Sequence, residues 1–261
     1  MTTQIAPSGL TSEQIQDYRT NGYLILRGRF GPAEIAVLAF ESQMLASRED
    51  LIDTANIRCR WQDHVTTGEC MFDCFDPVID IGPICRGFAR DERILTPLRA
   101  LYDDEAQLFK DKLIFKMPGV KGYALHQDYI SWKEFPESFV TVILAIDATD
   151  AENGATEVFP GYHQQGYLSA RDGDYHELPR EAIDESTGVV LDLQPGDLAF
   201  FSGFTPHRSA PNASDRRRRQ LYLSYSAGRD GGDQRDAHYR QFHGWLQEKY
   251  AQYGRTGVYF R

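Results

Sequence analysis

Two histidines and one aspartate stand in an order that suits a metal: His126-Gln127-Asp128, then His207, with Arg218 eleven residues further on. Two imidazoles and a carboxylate on one side of an ion leave three coordination positions open, the arrangement of mononuclear non-haem Fe(II) oxygenases. The i, i+2 spacing puts His126 and Asp128 on one face of a strand, so both reach one ion. The second imidazole must come from a distant strand, and His207 is expected to supply it from the other side of a barrel. Arg218 provides the second half of the chemistry. A 2-oxo acid such as 2-oxoglutarate chelates iron through its keto and C1 carboxylate oxygens, and its far carboxylate then needs a buried cation. A planar guanidinium binds carboxylate through two hydrogen bonds and stays charged. Ser209 can add a hydroxyl hydrogen bond to the same group. The cofactors this implies are Fe(II), 2-oxoglutarate as cosubstrate and O2.

Each piece alone has an ordinary reading. An H-x-D tripeptide recurs by chance, and a lone histidine is usually a surface or satisfied core residue. The run Arg216 to Arg219 reads by default as a solvated face. Order and strand placement together carry the joint case. His64, His163, His176, His238 and His243 lack a carboxylate two residues on and are expected not to be ligands. Two other classes remain open. A non-oxidative cupin-like enzyme using zinc or manganese would not need a buried arginine near the second histidine. A catalytically inactive binding module on the same fold would have no reason to keep all three ligands.

Elements that could position these residues follow from the apolar spacing. Thr11 to Gln14 reads as a capping box opening a helix that stops at Asn21-Gly22. Residues 23–26 suggest a strand, residues 33–47 and 90–102 amphipathic helices, and residues 50–90 a mixed stretch. From residue 106 the character turns to strands: 108–117, 139–147, 156–159, 189–193, 198–201 and 220–226, with Gly/Pro turns between them. The apolar run 139–147 is expected to be buried on both faces. A helix over 236–250 closes the chain. The fold class implied is mainly β with flanking helices around a double-stranded β-helix (jelly-roll, cupin-like) core. The expected organisation is one domain over 1–261, with helical support over about 1–105, the β-helix core over about 106–230 and the terminal helix.

Bulk properties narrow the classes. A hydrophobic share of 41% is enough for a sizeable core. The net charge of −10 argues against nucleic acid and anionic membranes as partners. No stretch approaches the roughly 20 apolar residues of a spanning helix. The opening MTTQIAPSGLTSEQ has no basic or apolar leader pattern, so a cytoplasmic location is expected. Cys59, Cys70, Cys74 and Cys85 lack paired spacing and read as buried free thiols. The partner is then a small-molecule substrate, and oligomeric state is not legible.

Longer motifs resemble one family. LTSEQIQDYRTNGYLILRGRF, the HQD at His126–Asp128, Glu152-Asn153-Gly154-Ala155 with Phe159-Pro160-Gly161-Tyr162-His163, and PGDLAFFSGFTPHRSAPNASDRRRR are similar to the phytanoyl-CoA dioxygenase (PhyH)-like Fe(II)/2-oxoglutarate oxygenases. The resemblance covers most of the chain. It implies that His126, Asp128 and His207 bind iron and that Ser209 and Arg218 bind 2-oxoglutarate. Lys112 matches a position that often touches the cosubstrate, and Thr141 should face the same pocket. Arg208 stands where the family often has glycine. Arg219 beside Arg218 leaves the salt-bridging arginine open by one residue, though strand alternation sends the two to opposite faces. The implied reaction is hydroxylation of an unactivated C–H bond with release of succinate and CO2. Asp128 argues against halogenation, while desaturation or ring closure stay open. Gln127, Tyr129 and Trp132 are candidates for the pocket mouth. The aromatic pair could favour an amine-bearing substrate, and spare arginines such as Arg208 or Arg219 an anionic one. An amino acid, an aminophosphonate-like metabolite or a natural-product intermediate are the substrate candidates.

Overall fold

The computed structural model describes residues 9–128 and 135–259. Helix α1 (Ser12–Asn21) starts on the expected box: Gln14 N donates to Thr11 Oγ1 at 3.1 Å and Thr11 N to Gln14 Oε1 at 2.9 Å. It stops at Gly22, whose φ of 78° lies in the left-handed region that glycine adopts without a Cβ penalty. There follow β1 (Tyr23–Leu26), α2 (Pro32–Ala46), β2 (Cys59–Asp63), β3 (Cys70–Phe75), α3 (Pro83–Phe88) and α4 (Glu92–Tyr102). The second half contains β4 (Ala106–Lys116), β5 (Tyr123–His126), β6 (Val140–Ala145), β7 (Thr156–Val158), β8 (Val189–Val190), β9 (Leu198–Ser202), β10 (His207–Ser209), β11 (Arg218–Ala227) and α5 (Arg235–Tyr253).

The strands form two sheets in a jelly-roll arrangement. The larger runs β1-β9-β6-β11-β4-β3-β2, and the smaller β5-β10-β7-β8. Strand β6 is buried along its whole length, as its unbroken apolar run predicts. The stretch expected to be helical support also contributes β1, β2 and β3, which extend both edges of the larger sheet. The strand expected over 189–193 is shorter. Beyond Val190 the Thr149 hydroxyl takes over the backbone groups, donating to Leu191 O and accepting from Leu193 N. Three cysteines are buried as expected, but Cys70 is exposed at the start of β3.

Period-two alternation gives the larger sheet two different faces. Leu113, Phe115, Val142, Leu144, Phe200, Leu221, Leu223 and Tyr225 pack outward against Ile35, Leu38, Ile94 and Leu98 of the helices. The inner face carries Ile114, Ile143, Ala199, Phe201 and Tyr222 toward the smaller sheet. Alternation also divides the arginine run. Arg216 is an exposed partner of Asp150, and Arg217 reaches Gln43. Arg219 points outward to Asp147 through Nε at 2.9 Å and Nη2 at 2.7 Å, and to Ala39 O and Ser42 Oγ of α2. It ties sheet to helix. Arg219→Leu, which leaves Asp147 without its cation, should cost about 3 kcal/mol. The check is the urea midpoint, and 2-oxoglutarate affinity should stay unchanged.

Candidate metal and cosubstrate site

The smaller sheet brings the two histidines side by side. In the β10–β5 pairing, His207 stands directly opposite His126. The second histidine therefore comes from the neighbouring strand, not from across a barrel as expected, because β10 returns beside β5. Ring centroids lie 4.2 Å apart. Asp128 falls just past the end of β5, where its N donates to Gly203 O at 3.0 Å. Its Oδ1 lies 3.8 Å from His207 Nε2. One ligand atom from each of the three residues lies within 4.8 Å of the others. Among the described residues this is the group of His, Cys, Asp or Glu able to hold a metal ion, and the other five histidines are outside it.

Each ligand is held by a second contact. His126 Nδ1 lies 2.6 Å from Ala124 O, and His207 Nδ1 lies 3.0 Å from Thr205 O. A carbonyl only accepts, so each Nδ1 carries the proton and each Nε2 presents its lone pair. Burial, then the neighbouring His207, pushes His126 down to about 3, and burial lowers His207 too. Both shifts favour the neutral imidazoles that a metal would need. Burial alone would raise the Asp128 carboxyl, but His207, Lys112 and His126 hold it below the usual carboxylate range. Asp128 Oδ2 accepts from Thr141 Oγ1 at 2.9 Å. Thr205 is itself pinned, since its hydroxyl donates to Gly22 O at 2.8 Å. A Cβ on Gly22 would sit 2.5 Å from that hydroxyl.

A partly enclosed cavity opens beside these residues. Arg218 enters it from the inner face of β11 and is 2% exposed. Among the described residues no acceptor reaches its Nε or Nη1. A buried guanidinium with open N–H groups is costly unless a ligand completes it, and a carboxylate fits that fork. Ser209 lines the same wall. Its oxygen accepts from Lys116 Nζ at 3.0 Å and Tyr123 N at 3.2 Å, so its own proton is left to donate. Burial, with Arg218 beside it, pushes the Lys116 ammonium down to about 6. Asp73, buried behind Tyr123, is the carboxylate that acts on both Lys116 and Arg218 in this corner. Donor set and cation together fit a ferrous ion chelated by a diacid.

Other expected positions differ. Lys112 lines the cavity, with its ammonium 5.3 Å from the Tyr222 ring. Thr141 does not line it; it stands behind Asp128 and orients that carboxylate. Gln127 alternates to the opposite face from its neighbours. There its amide donates to Gly166 O and Phe204 O and accepts from Leu168 N, so it fastens a loop and does not line the pocket mouth. Tyr129 and Trp132 lie outside the described residues. Neither spare arginine is spare: Arg208 pairs with Glu157 and Glu185 at 2.6 Å each, and Arg219 with Asp147. Residues that sequence reasoning passed over also line the cavity, namely Arg60, Asp76, Lys110, Tyr175, His238 and Tyr259. The i, i+2 pair Lys110 and Lys112 was the available signal, since such a pair shares one strand face.

The chain is similar in sequence and fold to known dioxygenases. The family described as phytanoyl-CoA dioxygenase (PhyH) matches residues 18–220. Methylphosphonate hydroxylase of Gimesia maris is 37% identical over 158 residues, a match spanning 60% of this chain and 58% of that protein. The 2-aminoethylphosphonate dioxygenase of the uncultured bacterium HF130_AEPn_1 is 29% identical over 86% of this chain and 84% of its own. In fold, the chain superposes on EctD from S. alaskensis, solved with 2-oxoglutarate and 5-hydroxyectoine, with a TM-score of 0.70 at 20% identity over 88% of this chain and 80% of that one. The chain belongs to the phytanoyl-CoA dioxygenase (PhyH) family of iron- and 2-oxoglutarate-dependent dioxygenases.

Proposed function

We propose that the chain hydroxylates an unactivated C–H bond of a small metabolite, with His126, Asp128 and His207 holding the iron and Arg218 anchoring 2-oxoglutarate. The observation that carries this reading is the convergence of three ligands beside a buried arginine whose N–H groups face a cavity. Bound iron, O2 and 2-oxoglutarate together supply an oxidant strong enough to break such a bond, the cosubstrate leaving as succinate and CO2. The protein's own part is placement. Arg218 and the Ser209 hydroxyl hold the far carboxylate. Lys112 stands between Arg218 and the ligands on the same sheet face and balances the negative charge gathered there. Thr141 fixes which Asp128 oxygen is free. A zinc or manganese enzyme of non-oxidative type is disfavoured by Arg218, for which it has no use.

The relatives' names place phosphonates among the substrates of similar proteins. The decisive experiment is a panel of amino acids, aminophosphonates and small amines incubated with Fe(II) and 2-oxoglutarate under air, scored for substrate-dependent succinate. Succinate should rise with one class and vanish on chelation. Tightly held zinc with no 2-oxoglutarate consumption for any compound would sink the reading.

Two variants separate the roles. Arg218→Gln should weaken 2-oxoglutarate binding about 100-fold, the value of a charge-assisted bidentate contact, without lowering the melting temperature of the cosubstrate-free protein. Calorimetry and thermal denaturation read both. Thr141→Val should cost about 10- to 100-fold in Fe(II) affinity by leaving Asp128 without its donor. Thr141→Ser should restore it.

A further inference from the structure

The cavity has a second charged end. Along β11 the inward residues run Arg218, Gln220, Tyr222 and Ser224, opposite Lys116, Ile114, Lys112 and Lys110 of β4. Six residues of strand separate Arg218 from Ser224, about 20 Å. Ser224 is paired with Thr141 of β6, the residue bonded to Asp128. Lys110 therefore stands beside the Thr141 end of this face and Arg218 beside the Ser209 end, with Lys112, which acts on His126, Asp128 and His207, between them. Lys110 Nζ sits 3.7 Å from the Phe242 ring centroid and 3.3 Å from Asp76 Oδ2. The Arg60 guanidinium faces the same ring at 5.0 Å. Arg60 is 3% exposed, its Nη groups are tied to Ile57, Cys59 and Asp76 carbonyls, and its Nε lies 3.5 Å from Asp76 Oδ2, so Arg60 and Lys110 share one carboxylate.

Charge in this chamber does not balance. Arg60, Lys110, Lys112 and Arg218 line it as cations, Arg208 being already spent on Glu157 and Glu185. Among the described lining residues the carboxylates are Asp76 and Asp128. A divalent iron and a doubly charged 2-oxoglutarate cancel each other. Even with Asp73, buried behind Tyr123 and acting on Arg218 and Lys112, added to the carboxylates, positive charge remains, and buried charges without partners are costly. Burial, with Lys112 and Arg60 nearby, pushes the Lys110 ammonium down to about 8 although Asp76 works the other way.

We propose that this end binds the head of the substrate, and that the head is a dianionic tetrahedral oxyanion, a phosphonate or phosphate monoester, held by Lys110 with Arg60 behind it. The inference rests on Arg218 being the cosubstrate's anchor, since otherwise that arginine would compete for the same anion. Because Lys110 stands beside the Thr141 end, and Thr141 is bonded to Asp128, the C–H bond presented to the metal lies only a few bonds from the head. A long acyl chain extending from the head is not what this geometry selects.

Calorimetry on the Fe(II)·2-oxoglutarate protein without O2 tests this. The probes are methylphosphonate, methyl phosphate, methanesulfonate (the same shape with one charge) and ethylamine. The dianions should bind at least about tenfold tighter than the sulfonate, and ethylamine should not bind. The tighter dianion names the source. Lys110→Gln should weaken methylphosphonate binding about 30-fold and leave 2-oxoglutarate affinity unchanged, with Lys110→Arg recovering most of the loss. Arg60→Gln should act in the same direction, and Lys110→Gln keeps the test open if that buried change prevents folding. Equal binding of sulfonate and phosphonate, or an unaltered Lys110→Gln, overturns the proposal. Failure of the wild-type protein to bind 2-oxoglutarate would instead overturn the reading of Arg218.

Discussion

The site depends on a strand register: residue 207 of β10 opposite residue 126 of β5. Antiparallel partners that face each other lie about 5 Å apart at the backbone, so the pairing delivers two imidazoles to one point. The same local device then orients both rings, an Nδ1 proton given to the carbonyl two residues back, at Ala124 and at Thr205. A slip of one residue would send either ring to the opposite face. Asp128 needs only to follow His126 by two residues to complete the set.

Alternation in β11 distributes the other work. Successive arginines serve opposite sides of the larger sheet, Arg218 the cavity and Arg219 the join to α2. Both are buried, yet they are satisfied differently. Arg219 finds acceptors within the fold, whereas two nitrogens of Arg218 find none among the described residues. A fold keeps an open cation of this kind at a cost, and a ligand that closes it recovers that cost on binding. Stability and affinity for an anion that closes Arg218 would be linked through one side chain.

The meeting of His126, Asp128 and His207 was legible because His-x-Asp on a strand is a local pattern, and the placing of Arg218 at the cavity because its strand could be located. The fold class followed from the run of short strands with Gly/Pro turns. What failed was the assignment of neighbours. Thr141 was placed near the cosubstrate but serves Asp128, since pairing between β6 and β11 cannot be read from one strand. Gln127 and Arg208 looked available for substrate, yet each is committed to partners distant in sequence, Gly166, Phe204 and Leu168 for one and Glu157 with Glu185 for the other. Arg60 was hidden because β2 is short and bulged between Arg60 and Trp61, which spoils the alternation that reveals a strand.

Gly22 connects the chain's first helix to its chemistry. The turn that ends α1 offers its carbonyl to Thr205, and Thr205 holds the imidazole of His207. A helix-ending turn thus acts as a set-screw on an imidazole nearly two hundred positions later. Damage there would displace the His207 ring without touching it, and a search for its cause confined to residues 126, 128 and 207 would miss it.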